Sequence, residues 1–178
     1  GSNKIDDSNN NKLRVLISHS AAASVAHMQS IYILEEYAKK WDINICVTAF
    51  ISYSGGSAND RDDLSKRLVS KNKDISIKSV TTFLSHDELK QEINQIDIAL
   101  FSCLRDEGIG MLTELVKANG LLAFNRFSFN YDFFKTHIPK KTISHEEFLN
   151  MEPKVIKNMK KDKSYWQNYL LDYKDIHI

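Results

Sequence analysis

Residues 96–110 read Ile96-Asp97-Ile98-Ala99-Leu100-Phe101-Ser102-Cys103-Leu104-Arg105-Asp106-Glu107-Gly108-Ile109-Gly110. The first eight are almost wholly apolar. A short run without alternation is the pattern of a strand buried on both faces of a parallel sheet. The charges and two glycines that follow mark a loop, and beyond them a helical stretch ends at Asn119-Gly120. Residues 121–124 are apolar again. This segment is therefore strand, loop, helix and strand, the repeating unit of an α/β fold.

The same alternation extends toward the N-terminus. Residues 13–17 form a β-type run entering a Ser/Ala-rich turn over 18–24, where Ser24 is placed to cap a helix reaching Trp41. Met28, Ile31, Leu34, Ala38 and Trp41 form its expected apolar stripe, and Glu35–Lys39 and Glu36–Lys40 are favourable i,i+4 pairs. Residues 43–51 read as a strand, Gly55-Gly56 as a break, and Asn59 as the cap of a polar helix ending near Ser70. Residues 75–83 read as a third strand. Ser85 and Glu88 make a capping box for a helix to Gln95.

Toward the C-terminus the regularity fades after Asp132. Ser144 and Glu147 form a second capping box, Pro153 can open another helix, and a last helix carries Trp166, Tyr169, Leu170 and Tyr173 on one stripe. The pattern predicts a doubly wound, mainly parallel Rossmann-like sheet with helices on both faces. Ligands of such sheets gather at the carboxyl ends of the strands, here the loops 18–24, 52–58, 104–110 and 125–132.

Composition narrows the function. The chain has 178 residues, enough for one ordinary domain, and Lys+Arg minus Asp+Glu is 24 − 23 = +1. That balance argues against a nucleic-acid partner. Two cysteines, Cys46 and Cys103, cannot build a disulfide framework and read as buried free thiols of a reducing, cytoplasmic compartment. No apolar stretch approaches the ~20 residues that span a bilayer. The opening Gly1-Ser2 reads as a tag-cleavage scar and residues 1–11 as scar plus disordered linker, leaving 12–178 as a domain cut from a longer protein. The six histidines show no metal-ligand spacing, so neither a metal nor another cofactor is expected. Lys154, Lys157, Lys160, Lys161 and Lys163 form a basic run that reads as a solvated helix face, or as a contact with an anionic membrane surface.

Three loops carry candidate chemistry. In the loop from Arg105 to Gly110, Gly108, Ile109 and Gly110 allow close backbone approach. The first helical turn offers free N–H groups to a phosphate, and Arg105 can add a charge-assisted contact. The loop with Ser18 and Ser20 offers hydroxyls at a strand's carboxyl end. Asn125-Arg126 precedes a crowd of aromatics suited to stacking on a base or sugar, or to a satellite core under the loop. The third glycine of a dinucleotide fingerprint, a Walker A loop and a Gly-x-Ser-x-Gly elbow are all missing.

Together these segments resemble the C-terminal half of the bacterial TDP-N-acetylfucosamine:lipid II N-acetylfucosaminyltransferases of enterobacterial common antigen synthesis. The resemblance covers residues 12–176. It rests on Ser20, Ser24 and His27, Tyr53, Arg105 with Gly108-Ile109-Gly110, Ala118, Asn125-Arg126, His137, Pro139 and the terminal Tyr/Trp helix. It implies one half of a two-domain GT-B glycosyltransferase, the half that holds a TDP-sugar donor. A lipid-linked acceptor would be bound through the other half, at the inner face of the bacterial inner membrane. It places Ser18, Ser20, Tyr53, Arg105, Gly108, Ile109, Gly110, Asn125 and Arg126 around the donor, with no metal. The chain departs from the family in its alanine-rich first loop, Ala21-Ala22-Ala23. Retaining sugar transferases often carry a Glu five residues after the second glycine, and that position is Leu115, with Glu114 beside it.

Two other readings stand beside this one. Residues 50–54 and 16–20 both look like the opening strand of a TIR-type module. Ser102 and Glu114, twelve apart, stand near the spacing of a strand-end Ser and the catalytic Glu of TIR NAD hydrolases, although the Trp-Cys pair usual before that Glu is absent. A flavodoxin-like interaction domain is the third.

Overall fold

Six parallel strands form one sheet in the order β3-β2-β1-β4-β5-β6. In this computed structural model, which describes residues 12–53 and 57–162, they are β1 (Lys12–Ser18), β2 (Asn44–Phe50), β3 (Ile75–Val80), β4 (Ile98–Phe101), β5 (Leu121–Phe124) and β6 (Thr142–Ser144). The helices are α1 (His27–Trp41), α2 (Ala58–Arg67), α3 (His86–Gln95), α4 (Ile109–Lys117), α5 (Phe129–His137), α6 (His145–Asn150) and α7 (Pro153–Lys161). This is the Rossmann-like order and not the flavodoxin-like one.

Each sheet face has its own core. Leu13, Val15, Ile17, Ile98 and Leu100 face α1, α6 and α7, whereas Leu16, Ala99, Phe101, Leu122 and Phe124 face α3, α4 and α5. Strands buried on both faces need unbroken apolar runs, which β4 and β5 have. At roughly 25 cal/mol per Å2 of apolar surface, such side chains supply most of the folding free energy.

Several local expectations are corrected. Asn59 does not cap α2. Ser57 does, because Asp60 three residues on completes a reciprocal capping box. The cap position of α1 is Ala26, two residues beyond Ser24. Residues Ala23–Val25 form a 3-10 turn, and Ala26 adopts a left-handed φ of 56° just before the helix. This offset turns His27, Ser30 and Tyr37 inward and leaves Met28 exposed. Tyr37 is accommodated because its hydroxyl donates to Met151 O (2.8 Å) while its ring stacks on Phe148.

The region after Asp132 is regular. Ser128 caps α5, and β6 leads directly into the Ser144 capping box. Lys160 of the basic run is turned inward, where its amine donates to Ala118 O. Of the two thiols, Cys103 is buried and Cys46 half-buried. The expected terminal helix and the Gly55-Gly56 break lie outside the described residues.

Candidate functional site

The chain leaves β1 toward β2 on one side and returns through β4 on the other, so β1 and β4 bracket the switch point of the sheet. Their ladder runs only through Val15–Ile98 and Leu16–Ala99. The loops that follow bound a crevice. A cavity of about 540 Å3 opens there, lined by His19 and Ser20 after β1, Tyr53 after β2, Leu89 of α3, and Gly108, Ile109, Gly110, Met111 and Glu114 of α4 and its approach.

The start of α4 shapes its floor. Gly108 occupies the cap position with φ 71°, in the left-handed region, and provides no side-chain cap. The N–H groups of Ile109, Gly110 and Met111 therefore have no intrahelical acceptor, and they carry the positive end of the helix dipole. A Cβ on Gly110 would meet nothing within 4 Å. Backbone bonds hold the neighbouring loops in place. Ala21 N–H donates to Tyr53 O (2.9 Å), and Phe129 N–H donates to Leu104 O (3.1 Å). The Asn130 amide donates to Glu107 O (2.8 Å).

The loops after β1 and β4 are joined through His19. Its Nε2 stands 3.1 Å from Glu107 Oε2, and its ring stacks on Phe101 with centroids 6.0 Å apart. Burial holds this imidazole below its ordinary pKa, and the Glu107 carboxylate opposes that shift without overcoming it. His27 donates from Nε2 to Ser20 O (2.9 Å), and burial lowers its pKa too. Burial, then the Glu107 carboxylate, pushes the Cys103 thiol up to about 11. The site is a crevice whose back wall carries an imidazole of lowered pKa held against a half-buried carboxylate.

Of the residues picked out by sequence, Ser20, Tyr53, Gly108, Ile109, Gly110 and Glu114 line the cavity together. Ser18 is fully buried, and its hydroxyl donates to Phe50 O (3.2 Å). Arg105 is exposed outside the lining. Asn125 accepts from Phe127 N–H within its own turn, and Arg126 lies over the Phe127 ring, 4.7 Å from its centroid. Leu115 is fully buried. Glu114 holds Lys117 at 2.7 Å and also borders a groove of about 490 Å3 between α3 and α4. Ser102 lies apart from the cavity, hydrogen-bonded to Ser30 of α1 (2.9 Å).

Of the lining residues that sequence reasoning missed, His19, Leu89 and Met111, His19 is the one that joins two loops. Its only signal was position, as the first residue beyond the β1 run. Among the described residues, no three His, Cys, Asp or Glu side chains are grouped so as to hold a metal ion.

No protein-family model and no curated protein matches the chain. Solved structures do. A structure of the Candida albicans trehalose-6-phosphate phosphatase N-terminal domain matches at TM-score 0.56 and 14% identity, over 87% of this chain and 38% of that one. An α,α-trehalose 6-phosphate synthase from Burkholderia multivorans matches at 0.55 and 12%, over 87% and 34%. Another trehalose-6-phosphate synthase matches at 0.55 and 14%, over 96% and 45%. The likeness at these identities is one of fold, and the chain spans less than half the length of each.

Proposed function

We propose that this chain is the donor-binding unit of a GT-B glycosyltransferase and holds a nucleoside-diphosphate sugar at the β1/β4 crevice. The observation that carries this reading is the uncapped N-terminus of α4 at the floor of a 540 Å3 cavity. Three unpaired N–H groups at a helix start suit the oxygens of a diphosphate. The apolar walls from Tyr53, Leu89, Ile109 and Met111 suit a base or a deoxysugar. The fold shared with trehalose-6-phosphate synthases supports the same class of donor.

In this reading Ser20, Tyr53, Gly108, Ile109, Gly110 and Glu114 surround the donor, joined by His19. Arg105, Asn125 and Arg126, all outside the lining, would serve only a ligand longer than the cavity. The family resemblance makes that donor a TDP-linked deoxy-aminosugar and the acceptor a polyprenyl-diphosphate-linked glycan at the cytoplasmic membrane face. Exposed Tyr53, Phe83, Leu104, Phe127 and Phe129 all follow the carboxyl ends of strands. Such a ring of apolar side chains suits a second domain that closes over the crevice and brings the acceptor. Among the described residues no helix is long and apolar enough to cross a membrane.

Calorimetric titration with TDP, UDP, GDP and NAD tests the reading. TDP should bind best, and Gly110→Val, which has room to fold, should abolish binding. Arg105→Ala should weaken it by about 1.5–3 kcal/mol if its side chain makes a charge-assisted contact. Binding that survives Gly110→Val would remove the diphosphate from the α4 terminus. NAD cleavage abolished by Glu114→Gln would replace the reading with an NAD hydrolase.

A further inference from the structure

The end of α4 opposite the cavity is closed by α7, and the closure is reciprocal. At the α4 end, Gly120 N–H donates to Leu115 O and Asn119 N–H to Val116 O, with Asn119 in the left-handed region at φ 66°. These are the two bonds of a Schellman turn, and they leave the last carbonyls outside the helix ladder. The Lys160 amine of α7 donates to one of them, Ala118 O, at 2.6 Å. Lys141 donates to Met159 O at 2.6 Å and reaches Asn119 O at 3.5 Å. In the other direction the Asn119 amide donates to Asp162 O (2.8 Å) and Met159 O (3.4 Å), and also to Lys160 O. Each helix therefore has its terminal carbonyls satisfied by side chains brought by the other helix or by the turn beside it.

Between this clasp and the cavity lies only α4, nine residues and about 13 Å long. Leu112 and Leu115 of α4 are fully buried, so the helix transmits an axial displacement as a body. We infer that α7 acts as a clasp on the cavity: its docking fixes the position of α4, and with it the amides of Ile109, Gly110 and Met111, so that diphosphate affinity depends on α7 being docked. The inference rests on the reading of the cavity as a diphosphate site. It adds to that reading a regulatory input from the C-terminal side of the chain.

The charges around the clasp are mixed. Asp162 faces Lys141, and Asp97 before β4 faces Lys160 and Lys157. Arg14 of β1 and Lys161 lie near Lys157. Two cationic amines held among helix-end carbonyls make docking responsive to a change in charge.

Asn119→Gly is the clean variant, because glycine keeps the left-handed backbone and removes the side-chain carboxamide, donor and acceptor together. Hydrogen exchange and TDP titration on the same protein decide the matter. Exchange in residues 153–162 should accelerate about tenfold, the Leu112 amide at the start of α4 should lose protection, and TDP affinity should fall roughly fivefold or more. Lys141→Met, of similar length, should act in the same direction. An opened α7 with unchanged protection at Leu112 overturns the clasp, as does unchanged protection across 153–162 in both variants. An opened α7 with unchanged TDP affinity overturns it too. Loss of protection at Leu112 in a protein that binds no nucleoside diphosphate overturns the reading of the cavity, and the dependence of its ligand on α7 with it, while leaving transmission through α4 in place.

Discussion

Gly108 lies directly against the His19 ring: a Cβ added to Gly108 would stand 2.9 Å from both Cγ and Nδ1 of the imidazole, and 2.9 Å from Phe101. The glycine is required twice, once by its left-handed backbone and once by the ring. The contact locks the start of α4 to the loop after β1, and the candidate site depends on that register.

Gly108→Ala should therefore destabilise the protein by about 2–4 kcal/mol, combining left-handed strain with overpacking. Gly110→Ala, with open space around its Cβ, should be neutral or stabilising by up to ~1 kcal/mol. Chemical denaturation of the two variants checks the contrast. Equal losses would mean that the two glycines do not differ in role.

Acid should destabilise the fold before its carboxylates titrate. His19, His27 and His145 all have pKa values lowered first by burial. The unfolded chain, with ordinary values near 6.5, binds protons that the folded protein refuses. Stability is full above that pH and falls as pH drops from about 6.5 toward the lowered folded values. Denaturation midpoints measured from pH 7.5 to 5 should decline, and His27→Gln, which keeps a donor for Ser20 O, should flatten part of the slope.

At the alkaline end the same cause acts with the same sign. Burial lowers Lys141 and Lys160 to about 8. The folded state loses these protons before the unfolded state does, so stability rises as pH passes from about 8 toward the ordinary lysine range. Lys141→Met should abolish part of that rise. A midpoint that stays flat from pH 7.5 to 9.5 in the parent protein would show that the amines are solvated.

The two thiols should separate cleanly. Cys103 is buried, with a thiol pKa of about 11, whereas Cys46 is half-buried and hydrogen-bonded to Ser76 at 2.9 Å. Iodoacetamide at pH 8 should alkylate Cys46 first and Cys103 only as the protein unfolds, which peptide mass spectrometry reads directly.

Much of this architecture was legible from local pattern. The apolar runs of β4 and β5, the Ser85–Glu88 and Ser144–Glu147 capping boxes and Pro153 at the start of α7 are each set by neighbours within a few residues. Nearest-neighbour chemistry of this kind survives folding unchanged, because the backbone groups it satisfies belong to the same segment. The Gly108-Ile109-Gly110 stretch was visible for the same reason: two glycines after a buried strand announce a close backbone approach.

What the residues determined by themselves, then, was an alternating parallel α/β chain with a glycine-rich loop after its fourth strand. Tertiary structure decided the rest. Only the strand order brings the loop after β1 beside the loop after β4, which makes His19 and Glu107 partners across 88 positions of sequence. Only packing turns Ser18 into a strand bridge, leaves Arg105 in solvent and draws Lys160 inward to the end of α4. Hydrogen bonds within a turn are short-range and can be read from spacing. A cavity, a buried imidazole and a helix-end clasp are formed by residues distant in sequence, and they exist only once the chain has closed.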